Sequence, residues 1–293
     1  MSEKRLGGRV ALVTGASQGF GERIARHFVQ EGASVAAVAR SADKLTKLCA
    51  ELTPTLSEGQ AVLAVPGDVS QERDIEHIVE SVLGAWGRVD ILVNCAGTAG
   101  PRAPLEESDW AQWREALELN LFGPAYLCRC IIPHMKRAGR GKIINISGGG
   151  ATKAIRNLSS YGASKTGLVR LTETLALELA ENAIDVNAVA PGLLATKMAD
   201  DVMEIGADIL GTGYSKEIER QRRGEHDAFA RATALCVFLA SSESDGITGR
   251  LLSAPWDPWA SLPQRREELS GSDIYTLRRI VPEDRGHKWD AGS

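Results

Sequence analysis

Short apolar segments alternate along the chain with longer segments in which apolar residues recur every three or four positions. The short segments predict seven β-strands, at residues 9–14, 34–39, 61–65, 89–94, 142–147, 184–190 and 248–253. The spacers at 19–31, 43–56 and 72–86 have the spacing of amphipathic helices. Because such alternation builds a parallel sheet with helices on both faces, the pattern predicts an α/β fold with a doubly wound, seven-stranded parallel sheet.

One helix is especially clear, at residues 159–182. Four leucines form a stripe along one of its faces: Leu168, Leu171, Leu175 and Leu179. No Pro/Gly-rich linker and no low-complexity segment interrupts residues 1–253. We therefore expect residues 1–253 to form a single domain and residues 254–293 to be a C-terminal extension, here called the tail.

The composition is that of an ordinary globular domain, with 43% hydrophobic and 25% charged residues over 293 positions. It permits a full core and excludes disorder as the main state. The net charge is −4 without a basic cluster, so we expect no nucleic-acid partner. No apolar run reaches the length of about 18 residues that a membrane span needs, and no signal peptide is evident. We expect no membrane association and a cytoplasmic location.

Five scattered cysteines predict reduced thiols rather than a disulfide framework. Cys128, Cys130 and His134 lie close together in an apolar segment. No second ligand pair with zinc-site spacing accompanies them, so they are expected to be core residues of a helix. We predict no metal site.

A glycine-rich turn follows the first predicted strand. Gly15, Gly19 and Gly21 give the spacing G-x-x-x-G-x-G between that strand and a helix. Backbone N–H groups at such a turn lie beside the positive end of the helix dipole, which suits a pyrophosphate. The position predicts a dinucleotide site, although three glycines alone could form only a tight turn.

The second predicted strand ends with a basic residue instead of a carboxylate. Arg40 stands where an acidic residue would bind a ribose 2′-hydroxyl and a basic one would accommodate a 2′-phosphate. Its guanidinium can donate two hydrogen bonds to a phosphate. We therefore expect NADP(H) to be preferred and NAD(H) to remain possible. In the alternative interpretation Arg40 is a solvated surface residue.

Tyr161 and Lys165 lie four residues apart at the start of the 159–182 helix, hence on one face. A nearby cation favours the phenolate of a tyrosine. Tyr161 could then exchange a proton with a substrate hydroxyl or carbonyl. This spacing is common by chance, so it gains meaning only together with other motifs.

Those other motifs are present, and together they resemble the classical short-chain dehydrogenase/reductase family over residues 6–253. The matching motifs are Thr14-Gly15-x-x-x-Gly19-x-Gly21, Asp68-Val69, Asn94-Cys95-Ala96-Gly97, Asn120, Asn145-Ile146-Ser147, Tyr161-x-x-x-Lys165 and Pro191-Gly192. The resemblance implies a Rossmann-like fold that binds NAD(P) and assembles as a homodimer or homotetramer.

The resemblance also assigns roles to residues. Tyr161 would be the acid/base, Lys165 would hold the nicotinamide ribose and lower the pKa of Tyr161, and Asn120 would support a water leading to Lys165. Asp68 would contact adenine. The full set of implied cofactor contacts, besides Tyr161 and Lys165, is Gly15, Ser17, Gln18, Gly19, Phe20, Gly21, Arg40, Asp68, Val69, Asn94, Ala96, Gly97, Pro191, Gly192, Leu194 and Thr196.

One position departs from the family pattern. The family's catalytic serine stands 13 residues before the tyrosine, and that position is Gly148. Ser147 is the expected replacement and Thr152 a second candidate. The loss of an oriented donor can cost about 10²–10³ in rate. Two functions therefore stay open: an NADP(H)-dependent oxidoreductase acting on a secondary alcohol or ketone, and a weak or silent dinucleotide-binding protein.

Two segments lie outside these motifs. Residues 193–227, here called the lid, are expected to form a helical cover over the substrate. The tail contains prolines that preclude one continuous helix. Its large apolar side chains predict packing on the domain or on a partner subunit; they are Trp256, Trp259, Leu277, Ile280 and Trp289.

Overall fold

The computed structural model describes residues 4–289, without the side chains of residues 207 and 208. The first three residues of the predicted domain and the last four of the tail therefore lie outside the described part. Seven parallel strands form one sheet in the order β3-β2-β1-β4-β5-β6-β7. The strands are β1 (Val10–Thr14), β2 (Ser34–Ala39), β3 (Val62–Pro66), β4 (Ile91–Asn94), β5 (Gly141–Ile146), β6 (Ile184–Ala190) and β7 (Leu251–Ser253).

Eleven α-helices connect or follow these strands in residues 4–289. They are α1 (Gly19–Gln30), α2 (Ala42–Leu52), α3 (Glu72–Trp86), α4 (Trp110–Leu117), α5 (Gly123–Ala138), α6 (Ser159–Glu178), α7 (Lys197–Met203), α8 (Ala207–Leu210), α9 (Thr212–Arg222), α10 (Ala228–Ala240) and α11 (Arg266–Ser270). None of the helices in this part of the chain has the length and apolar character needed to cross a bilayer.

Successive strand residues enter opposite cores, as the period of two requires. In β1, Ala11 and Val13 belong to the core beneath α1, α2 and α10. Val10 and Leu12 belong to the other core, beneath α3, α5 and α6. Both faces of the sheet are therefore covered, and the predicted doubly wound seven-stranded sheet is confirmed.

Several element boundaries differ from the prediction; the helix expected over 159–182 ends at Glu178, for example, and the strand expected over 89–94 begins at Ile91. Two of the differences have identifiable reasons. The helix expected over 43–56 ends at Leu52, because Pro54 has no backbone N–H to continue it, and a 3₁₀ turn follows. The last strand begins at Leu251 instead of residue 248. Gly249 has a φ of +71°, a left-handed conformation that interrupts extended backbone.

The strand order determines where a ligand can bind. β1 has β2 on one side and β4 on the other, so the chain direction of the crossovers reverses at this point. In open α/β sheets, ligands bind outside the carboxyl ends of the strands at such a reversal. The predicted site motifs follow β1, β4, β5 and β6, so the parallel sheet brings them to this one edge.

The first part of the tail packs beside β7. The buried guanidinium of Arg250 donates to the carbonyl oxygens of Ser272 at 2.9 Å and Ile274 at 2.7 Å, and also to that of Leu269. The N–H of Leu251 donates to the carbonyl of Tyr275 at 2.8 Å. These bonds hold the tail along the free edge of the sheet.

The large apolar side chains of the tail divide into two groups. Trp259 packs on Phe238 with 5.6 Å between ring centroids, and Leu277 contacts the small core at β6. In contrast, Trp256, Ile280 and Trp289 are 84%, 60% and 72% exposed. These three residues do not pack on the domain of their own chain, so for them the expectation of packing rests on a partner subunit.

Candidate active site

The glycine-rich turn after β1 is packed too tightly for side chains. A Cβ built on Gly21 would overlap the carbonyl oxygen of Gly15, and one on Gly15 would lie 3.0 Å from the backbone nitrogen of Ala96. Gly15 and Gly19 also have φ values of +70° and +60°. The glycines therefore let the chain turn directly from β1 into α1, whose first N–H groups have no partners within the helix.

The loops after β4 and β6 meet this turn. The hydroxyl of Thr14 accepts the N–H groups of Cys95 at 2.9 Å and Ala96 at 3.0 Å. From the other side, the methyl group of Thr196 lies 3.4 Å from where a Cβ on Gly19 would stand. Thr196 also caps α7 by accepting the N–H of Ala199. The predicted cofactor residues Gly19, Ala96 and Thr196 therefore surround one space.

Several predicted cofactor residues use their side chains for other purposes. Phe20 is buried in the core, with its ring 6.5 Å from that of Phe229, and Leu194 belongs to the same core. The amide of Asn94 donates to Asn145 at 2.8 Å and holds β4 to β5. The side chains of Phe20 and Asn94 are therefore not free to contact a ligand in this arrangement.

Arg40 and Asp68 face each other at the far end of the same edge. Arg40 Nη1 lies 3.8 Å from Asp68 Oδ2, and the Arg40 side chain is 76% exposed. Asp68 is further held by the hydroxyl and N–H of Ser70 at 2.8 and 3.0 Å. Val69, which follows Asp68, is buried. Between Arg40 and the turn, Lys44 Nζ donates to Gln18 Oε1 at 2.8 Å, and Gln18 and Ser17 line the same surface groove.

Asn120 lies in a π-helical turn, Glu118–Phe122, between α4 and α5. Its side chain is fully buried. Oδ1 accepts the N–H of Thr98 at 2.9 Å, while Nδ2 donates to the Thr98 carbonyl at 2.9 Å and to Ser164 Oγ at 3.0 Å. The amide therefore holds the loop after β4 against α6, one residue from Lys165.

Lys165 and Tyr161 both lie on the buried side of the first turns of α6. Lys165 Nζ donates to the carbonyl of Ile146 at 2.8 Å, and it would lie 3.4 Å from a Cβ on Gly97. Burial lowers the pKa of Lys165 to about 8. Burial, followed by the nearby phenol of Tyr214, raises the pKa of Tyr161 to about 12. Each shift has the sign expected when burial disfavours a charged form, so the expected lowering of the Tyr161 pKa by Lys165 is not found in the cofactor-free chain.

The Tyr161 side chain lies directly against the glycine run that follows β5. A Cβ on Gly148 would overlap the Tyr161 hydroxyl oxygen and lie 3.3 Å from Cζ. A Cβ on Gly150 would lie 2.8 Å from both Cδ1 and Cε1 of the ring. No side chain fits at position 148 while Tyr161 keeps this position.

Neither residue expected to replace the missing serine forms a hydrogen bond with Tyr161 within residues 4–289. Ser147 is 3% exposed, and its hydroxyl has no hydrogen-bond partner among residues 4–289. Thr152 is exposed at the surface, and the hydroxyl of Thr166 donates to the carbonyl of the neighbouring Ala151. The geometry thus shows no hydrogen bond from Ser147 to Tyr161.

The family model for short chain dehydrogenases matches residues 9–205. The chain belongs to this family. Among its relatives, cis-4-hydroxycyclohexanecarboxylate dehydrogenase of Sinomonas cyclohexanicum is 36% identical over 248 residues, which cover 84% of this chain and 94% of the relative. L-fucose dehydrogenase of Mus musculus is 33% identical over 273 residues, covering 93% of this chain and 96% of that protein.

Solved structures of dehydrogenases and reductases align with this fold over most of the chain. A putative NAD(P)-dependent gluconate 5-dehydrogenase from Beutenbergia cavernae, with bound NADP at low occupancy, aligns with a TM-score of 0.75 and 32% identity, covering 86% of this chain and 97% of that one. Levodione reductase aligns with a TM-score of 0.77 and 27% identity, covering 89% and 99%. As a short-chain dehydrogenase, the chain is an NAD(P)-dependent oxidoreductase of CH–OH and carbonyl groups.

Sequence reasoning missed one side chain of this short-chain dehydrogenase site. Tyr214 of the lid belongs to none of the motifs quoted above, yet after burial its phenol is the second cause that raises the pKa of Tyr161. Burial, followed by the charge of Asp200, raises the pKa of Tyr214 itself. The sequence does show that Tyr214 stands four residues before Ile218, a spacing that puts both on one face of a helix. The structure shows that Ile218 is buried on α9, so Tyr214 lies on the inward side of this helix.

Proposed function

We propose that this short-chain dehydrogenase transfers a hydride between NADP(H) and a secondary alcohol or its ketone, with Tyr161 exchanging the hydroxyl proton. The observation that carries the proposal is the pairing of Tyr161 and Lys165 on one buried face of α6, at the carboxyl edge of the sheet. A protein that only bound the dinucleotide would need neither a buried ammonium nor a phenol there.

The residues at the sheet edge fit a dinucleotide. The Gly15–Gly21 turn is a cradle that any Cβ would fill, and it leaves backbone N–H groups for a pyrophosphate. Asp68 and Val69 would lie at the adenosine. Leu194 and Thr196, which follow Pro191 and Gly192, would lie beside the nicotinamide amide and the pyrophosphate. When bound, the nicotinamide ring supplies a hydride to the carbonyl carbon or accepts one from the alcohol carbon.

The proton follows the hydride through Tyr161. In reduction the phenol gives its proton to the carbonyl oxygen, and in oxidation the phenolate takes the proton of the alcohol. The ammonium of Lys165 stabilises the phenolate that this exchange requires. Asn120 positions the site, because its three hydrogen bonds fix Thr98 and Ser164 around these two groups.

The preference for NADP(H) rests on Arg40. Its guanidinium is exposed, and its ion-pair contact with Asp68 is a long one of 3.8 Å that a phosphate could replace. A ribose 2′-phosphate would gain this cation, whereas a ribose 2′-hydroxyl would meet no carboxylate of its own at the end of β2. Lys44 Nζ, bonded to Gln18 Oε1, adds a second positive charge beside the glycine-rich turn.

The names of several relatives support a substrate class. Their names include a hydroxycyclohexanecarboxylate dehydrogenase, a fucose dehydrogenase and a threitol dehydrogenase. We propose a small polyhydroxylated or cyclic secondary alcohol for this chain, which acts in the cytoplasm. We also propose that residues 4–253 form its catalytic domain, that the tail is an accessory to that domain, and that the enzyme is a homodimer or homotetramer.

The alternative, a silent dinucleotide-binding protein, is favoured by Gly148 alone. The two are separated by titrating NADPH and NADH into the full chain and then following nicotinamide absorbance with cyclohexanols, sugars, alditols and their ketones. We expect saturable NADPH binding and turnover of at least one alcohol or ketone. Tight NADPH binding without turnover on the whole panel would overturn the enzymatic proposal.

A further inference from the structure

The reacting oxygen of a substrate lacks one hydrogen-bond donor in this site. Acyl and carbonyl chemistry gains from a second oriented donor at the oxygen where charge develops. Position 148 cannot provide it, since a Cβ there would overlap the Tyr161 hydroxyl. The donor must therefore come from another element.

The hydroxyls closest in sequence to Tyr161 are unsuited to this role. Ser164 donates to the carbonyl of Tyr161 at 3.0 Å and accepts from Asn120. Ser160 is fully buried against Gly100, whose Cβ, if built, would overlap the serine oxygen. The Ser147 hydroxyl oxygen is buried from solvent and has no hydrogen-bond partner among the described residues.

The lid carries a different hydroxyl, that of Tyr214, on the side of α9 that faces the rest of the domain. Tyr214, Ile218 and Gln221 follow each other on α9 at intervals of four and three, so they share one face. Ile218 is 1% exposed. Gln221 Nε2 donates to the carbonyl of Leu193 at 2.9 Å, and its Oε1 accepts the N–H of Ala195 at 3.0 Å. The face that carries Tyr214 is therefore the one docked on the segment after β6.

Other contacts hold α9 in this place. Arg222, near its end, forms an ion pair with Asp200 of α7. Across the cleft, Arg102 in the loop after β4 donates to Glu204 at 2.6 Å. The lid thus closes over the space between the loops that follow β4 and β6, and Tyr161 lies on the helix beneath that space.

We propose that Tyr214 donates the hydrogen bond to the substrate's reacting oxygen that the glycine at position 148 cannot supply. This role rests on the proposed oxidoreductase function. Tyr161 still transfers the proton, while Tyr214 keeps its own and stabilises the developing oxyanion. The raised pKa of Tyr214, caused by burial and by Asp200, is consistent with a phenol that stays protonated. The donor then belongs to the lid, so the site is complete only when α9 is docked.

The test compares Tyr214→Phe with the wild type on whichever substrate the panel identifies. This variant removes a single oxygen and keeps the ring. We expect kcat to fall by about 10²–10³, while the Kd of NADPH and the melting temperature stay close to wild type. Tyr126→Phe is the matched control, because Tyr126 bonds Glu76 on the far side of the domain, and we expect its kcat to be unchanged.

Two further variants decide between possible donors. Gln221→Ala removes the bonds that dock α9, so it should lower kcat in the same direction with the Kd of NADPH unchanged. Ser147→Ala examines the competing donor. A normal kcat for Tyr214→Phe, or a large loss for Ser147→Ala alone, would overturn the proposal. A wild type that turns over no substrate would instead overturn the oxidoreductase function, and this role of Tyr214 with it.

Discussion

Gly148 provides the space that the hydroxyl of Tyr161 occupies. A Cβ at this glycine would overlap Tyr161 Oη and lie 3.3 Å from Cζ. Likewise, a Cβ at Gly150 would lie 2.8 Å from the ring atoms Cδ1 and Cε1 of Tyr161. The backbone of Gly148 is extended, so its conformation does not require glycine. Position 148 therefore has no side chain because the phenol of Tyr161 occupies the space that one would need.

Adding a methyl group at this position should displace the phenol. We expect Gly148→Ala to lower kcat by at least about tenfold with little change in the Kd of NADPH, because a shift of about 1 Å of a reacting group is costly. Steady-state kinetics and cofactor titration measure both quantities. Gly84→Ala, in an open position of α3, is the control and should leave kcat unaltered. Undiminished turnover in Gly148→Ala would show that Tyr161 has room to move.

The buried ammonium of Lys165 should cost stability. Its pKa falls from 10.5 to about 8, so below pH 8 the folded cofactor-free chain holds this proton less tightly than the unfolded chain does. The cost is about 3 kcal/mol, less about 1 kcal/mol for the hydrogen bond to Ile146. Lys165→Met should therefore raise the free energy of unfolding in urea by about 2 kcal/mol at neutral pH, while it abolishes turnover.

The difference in unfolding free energy between Lys165→Met and the wild type should change with pH in one direction. The penalty is fully present below pH 8 and disappears as pH rises through the interval from about 8 to 10.5, where the unfolded chain still binds the proton. The advantage of Lys165→Met should shrink across that interval. A variant that is less stable than wild type at neutral pH, or an advantage that grows with pH, would refute the prediction.

Arg40 should distinguish the two cofactors. Replacing it by alanine removes a charge-assisted contact to a 2′-phosphate, so we expect the Kd of NADPH to rise by about 10- to 100-fold and the Kd of NADH to change little. Fluorescence titration of both nucleotides gives the ratio. Arg73→Ala, on the exposed side of α3, is the control. Equal weakening of both cofactors would remove the basis for an NADP(H) preference.

Arg250 should anchor the tail. Its buried guanidinium donates to three tail carbonyls, those of Leu269, Ser272 and Ile274. We expect Arg250→Ala to reduce the free energy of unfolding by about 2–4 kcal/mol and to expose residues near 270 to limited proteolysis, because three carbonyl groups lose a charged donor. Arg265→Ala removes an exposed ion pair with Glu268 in the same tail and should change stability by less than about 1 kcal/mol.

The sheet could be predicted from the sequence because local pattern determines it. The strand predicted at 184–190 is observed with the same bounds, since this segment, although it contains Asp185 and Asn187, is buried on both faces up to its last residue. The predicted bounds of an element were wrong where one residue interrupts the pattern, as Pro54 does after α2 and Gly249 does before β7.

The fine structure of the site could not be predicted in this way. The spacing of Tyr161 and Lys165 indicated a shared helix face. The close approach of the phenol to Gly148, which leaves no space for a Cβ, depends on how the turn after β5 meets α6. The position of Tyr214 depends on the docking of α9 through Gln221, a contact between elements about 26 residues apart. Exposure of Trp256 and Trp289 likewise reflects tertiary packing that a count of apolar residues does not contain.

The central claim is that Tyr161 carries the proton of a hydride-transfer reaction. The most direct measurement is a single turnover of saturating NADPH and a ketone substrate by Tyr161→Phe, followed by nicotinamide absorbance, beside NADPH titration of the same variant. We predict a Kd close to wild type and a rate lowered by at least about 10³, because the ring remains and only the ionisable hydroxyl is lost. A rate equal to that of the wild type would contradict the claim.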